Sequence, residues 1–582
     1  MPNQITHKNP LTESKVNFFA DYFDFAVSTL GINDNIEVEN GLSVIDKIIF
    51  QLEHNSNSNR CIQYINSYLT HPSFTEYKGF KEFKSFKNLH KLLKEYHTIE
   101  QKPKKRHEWI EKNPTFSEQL KLYRGDLRRY MFKKALKEVK SFLICKHDLE
   151  YHKGDVIKST DILVTEFLLS ERSKKDIGSI IRKIMSNEIH QFPFPKSIQS
   201  LEEKEDFLQN RNFHQQFDGI YNELNKDYSK SYFMFRIYGL KTDPDFSFTY
   251  NQVSFYNYNH TKFSDVKVGL RKKNNFLSEF FKNNENMVIA VVKSKYRSLE
   301  IAKSEAIETI AKELRFLNRV CGANCYIEKL SFLMSDDFKN FGGRKSFNDL
   351  GQITHNFTID LLNDNPFNFL KSDSINLKDT ILKNEYLLND ALTTKNISTY
   401  WQYLETIIPK DEKSNNQILA YVSHILLLNA DSHYKNRLKG YFFESIYPSN
   451  GIPSKNFGIT TERHQELLKA KKDLDWEKLK NEIKHPFLNY LLSEITSAST
   501  KHYLEKKQKI YMRILRDAQA QRNAIMHSGI ACEKSLISLN AQLPRLITRL
   551  RWLIFDGIKK KKGNTYEEII EKLFEEGKKM IA

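Results

Sequence analysis

The chain has 582 residues, with 90 Lys and Arg against 72 Asp and Glu, a formal net charge of +18, and 40% of it is hydrophobic. That apolar content excludes a wholly disordered chain, and no apolar run approaches the ~18–20 residues needed to cross a bilayer. Five cysteines without CxxC pairing give no disulfide framework and suit a reducing compartment. The expectation is a soluble cytoplasmic protein of roughly three to four domains.

The charge is concentrated. From Lys78 to Lys140 there are 19 basic and 8 acidic residues, and from Ile495 to Lys562 there are 15 and 4. The remainder is therefore slightly acidic. Such basic surfaces match phosphate backbones or anionic headgroups, although a general Lys and Asn bias in composition would also raise the charge.

In chain order, residues 1–225 read as mainly helical after a polar start. Phe80, Phe83, Phe86, Leu89, Leu92 and Leu93 recur every three or four positions with lysines between them, an amphipathic helix with a basic exposed side. Lys102–Arg106, with Pro103, breaks it, and a second basic helix spans Leu120–Cys145. Residues 226–345 change character. Ser231–Tyr238 and Phe246–Tyr258 have strand composition, Met287–Val292 is a short apolar run, Ser298–Leu317 has a helical face, and Cys325–Met334 returns as a strand. This predicts a small α+β module, closed by polar connecting sequence at Ser335–Phe347. Residues 370–582 are helical again, with segments at Lys378–Asn389, Ile397–Ile408, Asn416–Leu428, Leu488–His527, Leu543–Ile558 and Tyr566–Met580. The fold class expected is mainly α, with a C-terminal helical bundle after the α+β module.

Several constellations carry no chemistry. His147, Asp148, Glu150, His152 and Asp155 cluster beside Gly154 in an expected solvated loop, without a second half at metal-site spacing. Cys321 and Cys325 read as small buried residues. No GxSxG, HExxH, Gly-rich phosphate loop or tight acidic cluster for paired Mg²⁺ ions is found, so no metal or cofactor is expected.

One cluster remains. Arg522, Asn523 and His527 fall within six residues, just before Gly529. Arg offers a permanent forked cation for phosphate oxygens, His moves a proton near neutral pH, and Asn adds donors that orient either partner. These are the parts of a metal-free RNA cleavage, although a capped and solvated helix end would look the same. Asn523 and His527 share a helical face, whereas Arg522 lies about 140° around from His527. Two copies about a twofold axis would bring Arg and His to one phosphate more easily than one copy does.

Arg-Asn-x-x-x-His-x-Gly at the end of a long helix resembles the ribonuclease motif of HEPN domains. Tyr400–Glu405 (YWQYLE) is similar to a helix of the ApeA-type HEPN domains in bacterial anti-phage proteins, and Leu543–Ile558 to the helix that closes such a bundle. The resemblance covers about 190 residues and is vague over the first ~225. It implies a HEPN-like bundle, a catalytic pair of Arg522 and His527 with Asn523 as the polar residue, and a metal-independent endoribonuclease. It further implies homodimerisation or higher assembly through the bundle, an RNA substrate such as tRNA, and a regulated toxin of abortive infection answering a phage-derived trigger. Glu405 could support the site, and Lys506, Lys507, Lys509, Arg513 and Arg516 on the same helix could meet the RNA backbone. For each of these a merely solvated side chain is the competing reading. Two alternatives to the enzyme stay open: an RNA- or DNA-binding protein whose inactive bundle only dimerises, and a protein-interaction module whose charge is compositional.

Overall fold

The computed structural model describes residues 10–29, 41–54, 65, 84–99, 108–109, 111–263, 280, 287–321, 324–328, 331–336, 338, 341–345, 375–394, 396–408, 415–446, 461–470, 474–528, 532–560 and 562–582. The fold is mainly α, with one small antiparallel sheet. Among the described residues, no helix is long and apolar enough to cross a membrane.

The N-terminal part contains α1 (Pro10–Thr29), α2 (Gly41–His54), α3 (Lys84–Thr98), α4 (Phe116–Ile144) and α5 (Leu149–Leu169), followed by short helices to Leu224. Lys84, Lys87, Lys91 and Lys94 line the exposed side of α3, while Leu89, Leu93 and Tyr96 are buried. Phe80, Phe83 and the break at Lys102–Arg106 lie outside the described residues. The cluster near Gly154 is not a loop: Glu150, His152 and Asp155 open α5, where Lys153 pairs with Glu150 at 3.0 Å.

The strands are β1 (Ser229–Tyr238), β2 (Ser247–Tyr250), β3 (Val253–Asn257), β4 (Met287–Tyr296), β5 (Tyr326–Ile327), β6 (Ser331–Ser335) and β7 (Phe341–Lys345), with helix α6 (Leu299–Cys321) between β4 and β5. Their order is β2-β3-β4-β1-β6-β7, with β5 also on β1. Side-chain alternation divides the sheet's two faces. Phe233, Phe235 and Ile237 pack with Val288, Ala290 and Val292 under Ala302, Ala306 and Ile310 of α6. Met234, Ile289, Val291 and Leu333 form a second cluster with Phe263 and Phe280. Apolar clusters on both faces explain why β4 reads as an unbroken hydrophobic run. β7 falls inside a stretch whose polar composition suggests a connection.

The C-terminal helices are α7 (Ile375–Thr394), α8 (Ile397–Ile407), α9 (Asn415–Ile425), α10 (Ala430–Ile446), α11 (Pro486–Thr496), α12 (Lys501–Ser528), α13 (Glu533–Lys559) and α14 (Tyr566–Lys579), with shorter turns between. Their core joins Trp401 and Leu404 of α8, Val422 of α9, Tyr511, Leu515 and Ala518 of α12, Ile547 and Leu550 of α13, and Ile570 and Leu573 of α14. The segment expected to be one helix from Leu488 to His527 is two. Ser497 leaves the helical conformation and its hydroxyl donates to the Glu494 carbonyl at 2.8 Å, while Thr500 accepts from the Tyr503 N–H at 3.1 Å. Such short hydroxyl side chains end one helix and cap the next.

Residues 1–169, 177–222 and 364–582 form one compact unit, and residues 170–176 with 223–363 form another. The two helical regions that read as separate therefore belong together. Phe18, Tyr22 and Phe25 of α1 pack on Tyr441 of α10 and Phe487 and Tyr490 of α11, with ring centroids 4.9–6.5 Å apart. Helical periodicity shows which face is buried, but not which helix covers it.

Candidate functional site

α12 is a long helix of strong formers, and its inner face is apolar through Ile510, Tyr511, Ile514, Leu515 and Ala518. It packs against α8, α9 and α13. The last two turns come to the surface: Arg522, Asn523, Ala524 and Ile525 are half-buried, and Met526 is exposed. His527 lies in the final turn, but its side chain is outside the described residues, as is Gly529.

Arg522 is 30% exposed and held from two sides. Its Nη1 donates to Asn523 Oδ1 at 2.9 Å, and its Nη2 lies 3.9 Å from Glu405 Oε1. Glu405, 26% exposed, reaches across from α8, where the Trp401 indole N–H donates to the same oxygen at 2.8 Å. Trp401, Tyr400, Tyr403 and Leu404 are buried, and the Asn396 side chain caps α8 by accepting from the Ser398 N–H at 2.8 Å. A capped helix with a buried aromatic face thus fixes the carboxylate that meets Arg522. At nearly 4 Å the contact restrains the guanidinium and leaves most of its five donors uncommitted to Glu405.

The basic residues of α12 divide by helical phase. Lys506, Lys509 and Arg516 are exposed and Arg513 is half-buried, in one row at spacings of three, four and three. Lys507 is different. It is 1% exposed, with its ammonium 5.6 Å from the Tyr434 ring centroid and 5.2 Å from that of Tyr503. Sharing a face with Leu504, Tyr511 and Ile514 turns it inward, and the aromatic faces hold its charge. It cannot meet an RNA backbone, which corrects the expectation.

A buried polar network lies behind the motif, and the sequence reading missed it. Gln521 is fully buried and accepts from the Cys532 backbone N–H at 2.8 Å. Asp517, one turn earlier, accepts from Ser535 Oγ at 3.2 Å and Gln521 Nε2 at 3.5 Å, and pairs with Lys47 of α2 at 2.7 Å. The available signal was two polar residues, four apart, on an apolar helical face. Burial pushes the Cys532 thiol up to about 11, so it stays protonated and is no nucleophile. Among the described residues, no group of three or more His, Cys, Asp and Glu side chains is placed to hold a metal ion.

Comparisons with protein-family models, curated proteins and solved structures found no match for this chain.

Proposed function

We propose that the chain is a metal-independent endoribonuclease of the HEPN kind, cytoplasmic, and a regulated toxin of bacterial anti-phage defence. The observation that carries the reading is the end of α12: a partly exposed Arg522 held between Asn523 and Glu405, with His527 little more than one turn on. In the proposed reaction His527 takes the ribose 2′-OH proton and the freed oxygen attacks the adjacent phosphorus. The bond from phosphorus to the 5′ oxygen breaks, and that oxygen takes a proton from water as it leaves. Arg522 donates to the non-bridging oxygens, where charge builds in the transition state. The products carry a 2′,3′-cyclic phosphate and a 5′-hydroxyl. Lys506, Lys509 and Arg516, with Arg513 beside them, would follow the backbone of an RNA such as tRNA, and two copies of the bundle would present two motifs to it.

The exposed row on α12 equally favours a second reading, an RNA-binding protein without chemistry. One experiment separates them: incubate a tRNA pool with the protein and with His527→Ala, both in EDTA, and analyse the ends. The first reading requires cyclic-phosphate ends that disappear in the variant. Equal cleavage by both proteins would place the active site elsewhere. Salt-sensitive binding without cleavage by either would leave the binding reading in possession.

A further inference from the structure

Gln521 and Arg522 are neighbours that project about 100° apart around α12. Arg522 looks toward α8 and the surface, while Gln521 points inward and closes on the first turn of α13 through the Cys532 N–H. Asp517 binds Ser535 of α13 and Lys47 of α2, and the exposures of the Lys47 and Asp517 side chains are 1% and 4%. A continuous set of polar contacts therefore runs from α2, across the motif helix, to the helix that follows. Ala520 of α12 lies in the same apolar cluster as Leu42, Ile45 and Ile48 of α2, one residue from the network and two from Arg522, and α2 also packs against α13.

Such a network is not the obvious way to gain stability. Desolvating an ion pair costs about as much as its attraction returns, and apolar residues of equal volume do as well or better. What it adds is direction, since each hydrogen bond fixes a distance and an angle. Here those constraints act on α12 at Asp517 and Gln521, before His527, and at Cys532 and Ser535, after it.

We infer that Lys47, Asp517 and Gln521 are positioning residues for the Arg522–His527 motif, and that α2 is the element through which the N-terminal helices control it. This rests on the ribonuclease reading and deepens it. With α2 seated, the motif is aligned; with α2 displaced, the row on α12 still binds RNA but cleavage falls.

The test uses the whole chain and a tRNA pool. Gln521→Met is close in volume and cannot accept from Cys532, and Lys47→Met with Asp517→Asn removes both charges together while keeping an acceptor for Ser535. Each should lower the rate at saturating RNA about 10- to 100-fold, the scale of a misplacement of about 1 Å, with RNA affinity unchanged. Hydrogen exchange at the Cys532 amide should speed up at least about tenfold in Gln521→Met. Gly577→Ala, which strains α14 away from the motif, controls for mere loss of stability and should keep the wild-type rate. Folded variants that cut at the wild-type rate would overturn the inference, as would an equal loss of rate in Gly577→Ala. An amide at Cys532 that stays protected in Gln521→Met would overturn it too. Wild-type protein that cuts nothing would instead sink the ribonuclease reading and take the inference with it.

Discussion

Glu405 has two partners on one oxygen, the Trp401 indole and, at longer range, Arg522. The indole contact fixes the carboxylate's direction, so its charge acts on the guanidinium from a set position. Glu405→Gln keeps an acceptor for Trp401 and removes the charge. It should lower cleavage about tenfold, on the scale of a lost charge-assisted contact, with unfolding unchanged; a variant as active as the wild type would remove Glu405 from the site. Elsewhere, desolvation shifts Asp21, Asp24 and His485 from their ordinary values. Burial raises Asp21 to about 8, with the Asp24 charge adding to it, and burial alone lifts Asp24 to about 6 and lowers His485 to about 4. Asp21 and His485 approach to 3.8 Å, yet near pH 7 the carboxyl is protonated and the ring neutral, so this is no ion pair. Between pH 3.8 and 8 the folded state holds a proton on Asp21 that the unfolded chain gives up, so that contribution falls as pH rises. His485 acts in the opposite sense: between pH 6.5 and 4 the unfolded chain binds the proton, and stability falls as pH drops. Of these three groups, Asp21 contributes most of the slope above pH 6.5. Denaturant unfolding of the wild type should therefore lose about 1–2 kcal/mol from pH 6.5 to 8, and Asp21→Asn should flatten that window.

At the scale of elements, periodicity located most helices and strands because their buried faces are continuous: β1, β4, α6, α8 and α14 appear within a few residues of their expected bounds. Three features were illegible for separate reasons. The break before α12 rests on Ser497 and Thr500, hydroxyl residues that also occur inside helices. The helix expected from Leu543 begins instead at Glu533 and carries Pro544 inside it. Asp517 and Gln521 show in the sequence as a polar pair four apart on an apolar face, but no spacing rule connects them to Lys47. The Arg522, Asn523 and Glu405 grouping was half legible: the motif stood out by spacing, while the approach of α8 is a tertiary fact. One helix junction gives a sharp test. Gly577 of α14 lies so close to α9 that an added Cβ would run into the His424 carbonyl. Gly577→Ala should thus cost about 1–3 kcal/mol, the range for overpacking, lowering the melting temperature by several degrees; an unchanged melting curve would mean that the helices separate freely there.

For the whole molecule, charge placement matters more than net charge. Part of the basic excess is spent internally: Arg549 is buried against Tyr511 and Asn429, Arg551 makes paired bonds of 2.6 and 2.7 Å to Glu385, and Arg124 does the same to Asp46 at 2.8 and 2.7 Å. The row on α12 is free of that duty at Lys506, Lys509 and Arg516, which face solvent. Each Lys→Gln or Arg→Gln change there should reduce the slope of log affinity for single-stranded RNA against log salt by about 0.7, whereas Lys507→Gln should act on stability instead. Equal slopes for all four variants would exclude this row from RNA contact.

The larger unit is discontinuous: the chain leaves it near Asn222 and returns near Asp364. During synthesis, the aromatic face of α1 (Phe18, Tyr22, Phe25) emerges long before Tyr441, Phe487 and Tyr490, the rings that cover part of it. Until then part of that face lacks its covering rings and the motif helix is unmade, while the described strands of the sheet module have all been synthesised. A ribosome that stalls before α11 thus leaves part of that aromatic face without its covering rings and α12 unmade, so the fragment exposes apolar surface that favours aggregation.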